Sequence, residues 1–362
     1  MSNYTTLLAL GTFLLPTLTY AVEDPWFTSG PDVRFGIIAI AADWHQPGVL
    51  YAGANMKTLY KSTDAGGSWS PLWDSGITGS VTHHVTDIAT DPHTPNTVYV
   101  GISNHGFSHI IGGIHKSIDG GITWAVSNKG LPSPSVSMLV ADPQKPDGLY
   151  TAAEGGLYRS VDGAESWQLV LPDGGHVAVY SGDSQIVYAT GPSWGLENTL
   201  WQSVDGGTNW TQVATGMPGL IQIDPQNPAV LYLAGGVSQE GRLVGTILKS
   251  PDSGLTWEPI FELPGGWIGS FAIDPQNPAV LYAGSGGKVH KSGVFRSTDG
   301  GSTWTEIHAA GPLDLLLDPF DHTTLYAGMN SLAWGVFRTR FGVDITAVQS
   351  VTWGQVKTRS KP

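Results

Sequence analysis

An all-β ring of four-stranded blades is the fold predicted by this 362-residue sequence, on three observations. The first is an eight-residue box, Ser-x-Asp-x-Gly-x-(Ser/Thr/Asn)-Trp, written six times: Ser62 to Trp69, Ser117 to Trp124, Ser160 to Trp167, Ser203 to Trp210, Ser250 to Trp257 and Ser297 to Trp304. The second is its period. The box aspartates (Asp64, Asp119, Asp162, Asp205, Asp252, Asp299) follow one another at 55, 43, 43, 47 and 47 residues, a spacing of propellers and solenoids. The third is a phrase between the boxes, a turn rich in Asp and Pro followed by Leu/Val-Tyr and small residues. It occurs seven times, at Tyr51, Tyr99, Tyr150, Tyr188, Tyr232, Tyr282 and Tyr326. Seven tyrosines against six boxes predict a single seven-bladed β-propeller, with GVFRTRFGVD (Gly335 to Asp344) standing where a seventh box has lost its Asp and Trp.

Each unit is read as strands a to d. In the fifth, Leu220 to Asp224 is strand a, and DPQNP is a turn whose prolines cannot donate to a ladder. AVLYLA is strand b, GTILKS (Gly245 to Ser250) strand c, and strand d begins at Thr256-Trp257. The box is then the c–d hairpin: Asp accepts turn amides, Gly takes the left-handed position and Trp enters the layer between blades. Strand direction places the Asp-Pro turns and the boxes on one face, and the irregular b–c and d–a loops on the other. Irregular loops on a rigid scaffold are where binding and chemistry concentrate.

The ends and the composition narrow the setting. Residues 1–21 read as a secretory signal peptide: Leu7 to Leu15 is too short to span a bilayer, Pro16 interrupts it, and Thr19 and Ala21 suit cleavage, although no Lys or Arg precedes the apolar run. Residues 22–345 are the expected propeller and 346–362 a tail ending in basic residues. A secreted or periplasmic location follows as an expectation, with no transmembrane segment and a monomeric chain. The absence of cysteine removes disulfides and thiolate metal sites. A net charge of -13 with 17 basic residues disfavours nucleic acid and anionic membranes; no cofactor is implied.

Chemistry-bearing residues fall in the loops. The ligand-binding candidates are Trp73, His105, Trp194, Glu240, Arg242, Trp267 and Trp334, which combine stacking area or charge with the variable face. His83, His84, His105 and His109 cluster in the second unit, but adjacent residues on a strand point to opposite faces, so no metal site is expected. Gly284 to Lys288 lacks the context of a phosphate loop. Asp74, Asp173, Glu197, Glu240 and Glu262 are loop acids from which a glycosidase pair would have to come.

The boxes and the DPxxPxxLYAG phrase resemble those of the Asp-box (BNR) repeat superfamily over roughly residues 33–345. That resemblance implies a propeller but no single activity, since its members include sialidases, two-propeller xyloglucanases, sortilin-type receptors and the photosystem II assembly factor. The three carboxylate-binding arginines of the sialidases have no match: Arg159, Arg296 and Arg338 are tied to box positions, Arg359 lies in the tail, and Arg34, Arg242 and Arg340 form no Arg-Ile-Pro phrase. The xyloglucanases carry Tyr-Ala-x-x-Asp with a catalytic Asp; the matching stretch here, Tyr51 to Thr58, has Asn55 at that position, and an amide is neither general acid nor base. No cysteine-rich module of the sortilin kind is present, and the assembly factor's basic patch is not evident. The expectation is a non-catalytic binding or assembly protein with a glycan or protein ligand on the loop face, the alternative being a glycoside hydrolase.

Overall fold

A computed structural model describes residues 18–20, 26–31, 36–54, 58–72, 83–104, 112–133, 135–191, 199–216, 219–239, 241–286, 292–329 and 335–341. These contain strands and turns and no helix, hence none long and apolar enough to cross a membrane. Seven antiparallel sheets form seven blades. The innermost strands are Ile37–Ala42, His83–Thr90, Val136–Ala141, Val177–Val179, Leu220–Asp224, Ile268–Ile273 and Pro312–Leu317. Each touches the next, and the seventh touches the first. The predicted count and strand order are those observed.

Blade 5 shows where local reading was short. Its inner strand is Leu220–Asp224 as expected, but strand b runs Asn227–Gln239 and strand c Arg242–Ser250, paired throughout as one long hairpin. Strand b starts inside the expected turn because Asp224 pairs directly with Asn227 across a register shift. The outer strand, Glu258–Pro264, begins one residue after the box tryptophan.

The box has one geometry in all six copies. In the first, Ser62 Oγ donates to Asp64 Oδ1 at 2.8 Å and accepts from the Gly66 amide at 2.8 Å; Asp64 accepts from the Ser68 amide at 2.8 Å and from its hydroxyl at 2.7 Å. The serine hydroxyl and the aspartate carboxylate thus take up amides of the turn that would otherwise lack a partner. Two successive left-handed residues make the turn, for example Gly120 (φ 72) and Gly121 (φ 96), as a tight hairpin between twisted strands requires. The third copy holds Ala164 there at φ 69. These bonds pull the box carboxyls below their ordinary range. The Ser68 hydroxyl bond leads for Asp64 and the Asn209 amide bond for Asp205, each brought to about 2.

Seven tyrosines, none more than 1 % exposed, form the interblade core. Beside six of them stand Lys61, Lys116, Arg159, Lys249, Arg296 and Arg338, one position before five of the six box serines and before Thr339 in blade 7. In blade 4 the place belongs to Gln202, which donates to the Tyr188 hydroxyl at 2.6 Å. Five of the six cations lie over the tyrosine ring of their own blade. Several reach onward to a box carbonyl of the next blade, as Lys116 Nζ does to Gly163 O at 2.8 Å. The arginines set aside as box-linked are thus scaffold: Arg338 donates to Ala65 O at 2.7 Å, joining blade 7 to blade 1.

The seventh blade corrects the reading of the eroded box. Gly335–Arg340 is its third strand, and its outer strand is Phe27–Gly30 from the other end of the chain, pairing Phe27 with Arg338. Trp26 then occupies the box-tryptophan position. Trp69, Trp167 and Trp304 each donate Nε1 to the carbonyl three residues after the preceding blade's tryptophan: Ser29, Ser127 and Ile260, at 2.7, 2.8 and 2.9 Å. Trp26 donates to Ile307, three residues after Trp304, at 3.0 Å. The seventh tryptophan was not lost; it precedes the first blade in sequence. Leu18–Tyr20, inside the expected leader, lies as a parallel fifth strand beside Trp304–Glu306.

Candidate functional site

The two faces separate as strand direction requires. Amides in the boxes donate to carbonyls of the Asp-Pro turns, such as Gly120 to Asn96 at 2.8 Å and Gly300 to Ala279 at 2.9 Å, so turns and boxes form one stitched surface. The b–c and d–a connections lie at the other end of the blades.

On that loop face, blades 2, 3 and 4 enclose a recess of about 730 Å³. Its floor comes from inner strands, with Thr86 of blade 2 and Val136 and Ser137 of blade 3; Ser103 closes one side from the end of Val98–Asn104. Ser133 and Ser135 come from the connection into blade 3, and Asp173 to His176 from the connection into blade 4. Glu154 and Gly155 form the b–c turn of blade 3. The hydroxyls are positioned by the backbone and by one another: Thr86 Oγ1 donates to Val136 O at 2.8 Å, and the Ser103 and Ser135 hydroxyls are 2.9 Å apart.

The rim is held by backbone strain in the right places. Asp173 has φ 58 and Gly156 φ 141; a Cβ at Gly156 would stand 2.2 Å from Leu171 O, so only glycine lets these turns meet. Asp173 N donates to Gly155 O at 3.2 Å. Glu154 and Asp173 are exposed at the mouth, while His176 is half-buried; burial lowers its pKa, favouring the neutral ring. The chemistry offered is a dense set of hydroxyls, two rim carboxylates and a neutral imidazole, suited to hydrogen-bonding a polar ligand.

Of the seven ligand-binding candidates, Arg242 and Trp267 lie among the described residues; Trp73, His105, Trp194, Glu240 and Trp334 lie outside them, as does Asn55. Arg242 is exposed near the tip of the long blade 5 hairpin, beside a recess of about 890 Å³ formed with Gln239, Leu243, Val244, Pro264 and Gly265. Trp267 is half-buried, its ring so close to the hairpin that a Cβ at Gly236 would fall 2.4 Å from it. It supports the hairpin rather than standing free. Among the loop acids, Asp173 reaches the first recess and Glu262 pairs with Gln239 at 3.3 Å, whereas Asp74, Glu197 and Glu240 lie outside the described residues. Glu154 was missed, because Ala-Ala-Glu-Gly-Gly reads as a strand running into a turn; the Gly155-Gly156 pair was the available signal. Among the described residues, no three or more His, Cys, Asp or Glu side chains converge on a point.

Two carboxylates lie in the ring itself. Asp87 Oδ2 accepts from the Leu139 amide at 2.7 Å, and Asp314 Oδ2 from the Ile40 amide at 2.8 Å, each clipping one inner strand to that of the following blade. Burial raises both, Asp87 to about 7 with help from the charge of Asp314, and Asp314 to about 6. Both bind main chain and serve closure of the ring.

Comparison with known proteins agrees with the architecture. No family model matches the chain. A xyloglucanase of a Paenibacillus species is 28% identical over 367 residues, covering 85% of this chain and 35% of its own. Xyloglucanase Xgh74A of Acetivibrio thermocellus is 24% identical over 282 residues, covering 68% and 29%. The chain thus spans about a third of the length of these curated relatives. Among solved structures, the GH74 xyloglucanase of Xanthomonas campestris superposes with a TM-score of 0.67 at 19% identity, covering 87% of this chain and 53% of that one. YCF48 of Cyanidioschyzon merolae gives 0.60 at 15%, covering 87% and 98%, and a YCF48 structure bound to D1 peptide gives 0.63 at 14%, covering 90% and 99%. The chain is a seven-bladed β-propeller sharing its fold with both xyloglucanases and YCF48.

Proposed function

We propose that this chain is an exported, non-catalytic binding propeller that takes a glycan or an extended peptide on its loop face. The observation that carries the reading is the recess between blades 2 and 4: hydroxyls and backbone line its floor, and its carboxylates stand on the open rim. Such a site matches the hydroxyl and amide edges of glycans and peptides. Two features add support. The position where the xyloglucanase resemblance expects an acid holds Asn55, whose amide is neither general acid nor base. The known neighbours include a propeller with a bound peptide.

A second reading, glycoside hydrolysis, is favoured by the xyloglucanase relatives, and would use Glu154 and Asp173 across the recess. The two are separated by presenting the purified protein with xyloglucan oligosaccharides, other glycans and a peptide library, measuring binding and reducing-end release together. Binding without release, weakened roughly tenfold or more by Ser135→Trp, which fills the recess, is the expected result. Release abolished by Glu154→Gln or Asp173→Asn overturns it.

A further inference from the structure

The box face, which every blade builds alike, is not chemically uniform. Seven of the nine large hydrophobic side chains exposed among the described residues lie on it. They follow the ring: Phe320 on the blade 7 turn, Trp44 on the blade 1 turn, Ile118 and Ile122 in the box of blade 2, then Val161, Val204 and Leu255 in the boxes of blades 3, 4 and 5. The same box positions in blade 6 hold Thr298 and Ser302. The five box residues are all at least two-thirds exposed. Single exposed apolar residues need no explanation, but an arc of them confined to one face marks a covered or binding surface.

The chain leaves the ring on this face. Phe341 N donates to Thr323 O at 2.8 Å, the turn carbonyl equivalent to those bonded by the six boxes, so the described chain ends at the edge of blade 7 where the arc starts. Arg338, bound to Ala65 O, holds that exit against blade 1. Residues 342–362 carry Ile345, Val348, Val351, Trp353 and Val356, then Lys357, Arg359 and Lys361, against one acid, Asp344. They are basic in a chain of net charge -13, and the face they leave from presents the six box aspartates. Extended, they reach about 70 Å, several times the ~10 Å between packed sheets.

We propose that residues 342–362 dock across the box face of their own chain. Their apolar side chains cover the arc from Trp44 to Val204, and their basic end lies among the box aspartates. This surface is opposite the ligand recess, so the proposal stands or falls independently of the loop-face reading. The box carboxylates keep their charge well into acid because turn hydrogen bonds hold them low, which maintains the charge match.

The lack of cysteine makes the test clean. Thr358→Cys in the full chain carries a nitroxide, and methyl resonances of isoleucine, leucine and valine are observed. Broadening of Ile118, Ile122, Val161 and Val204 methyls is expected, with Val237 and Leu243 on the loop-face hairpin left sharp. The surface variant Ile118→Ser/Val161→Ser/Val204→Ser should lose the remaining box-face broadening, including that at Ile122, without a change of fold. Broadening on the hairpin, or none on either face, overturns the proposal. So does broadening that arises only between a nitroxide-bearing chain and a separate isotope-labelled chain, since docking would then be onto a second copy.

Discussion

If Trp26 is the seventh box tryptophan, removing it should destabilise the ring like a box mutation rather than like a change near a terminus. Trp304, 1 % exposed and packed against Phe261 at 5.0 Å, sets the upper reference; its replacement by alanine should cost about 3–5 kcal/mol. Trp26 is half-buried, with its ring edge-on to His308 at 5.1 Å. About half the packing loss, near 2 kcal/mol, applies, and about 1 kcal/mol more follows from the lost bond to Ile307 O. The sum for Trp26→Ala is near 3 kcal/mol. Val126→Ala, at a 66 % exposed position on an outer strand away from the box face, should stay within about 0.5 kcal/mol. Urea unfolding followed by far-ultraviolet circular dichroism gives all three values. A loss below about 1 kcal/mol for Trp26→Ala, indistinguishable from Val126→Ala, would refute the equivalence.

Three other outcomes follow. Ser297→Ala should cost about 1–2 kcal/mol, because the Gly301 amide and Asp299 both lose their hydroxyl partner. At the equivalent place in blade 7, the Thr339 hydroxyl is buried without a hydrogen-bond partner among the described residues, so Thr339→Val should be neutral or stabilising by up to about 1 kcal/mol in the same urea titration. Stability should fall as pH rises from about 4 to about 7: Asp87 and Asp314 sit near 7 and 6 when folded against about 3.9 unfolded, so the native state holds the extra protons there. Below pH 4 the lowered box aspartates reverse the slope, as their contribution is lost on descending toward 2. A stability maximum near pH 4–5, with its alkaline limb flattened in Asp87→Asn, is expected; an unaltered limb refutes the assignment to this clip.

The ring was legible because its determinants repeat. A left-handed turn, a hydroxyl for its amides and a buried aromatic are needed at every blade, so the same letters recur and their period counts the blades. The seventh box was misread because hydrogen bonding, not chain order, completes a blade: Trp26 and Phe27–Gly30 do in space what the sequence was searched for after Tyr326. A missing outer strand in the seventh unit was the clue. The recess is another matter. Ser103 comes from a strand end and Ser135, Glu154 and Asp173 from three separate connections, and they share no spacing. Asp173 was noticed as a loop acid and Glu154 was not, since nothing local distinguishes a rim carboxylate from a solvated one.

Pairing Phe27 with Arg338 also sets a timetable. A ribosome delivers residues 27–30 at the beginning and their partner strand only after six blades' worth of chain has emerged. Until then the first strand has no sheet to join, and blade 1 faces solvent along the side that Tyr326 and Arg338 will cover. No partial product carries a closed set of interfaces, so folding is gated by the last strand made. A circularly permuted gene that moves residues 26–31 behind residue 341 would remove the wait, let blade 7 close as a local hairpin, and raise the refolding rate while leaving the finished ring unchanged.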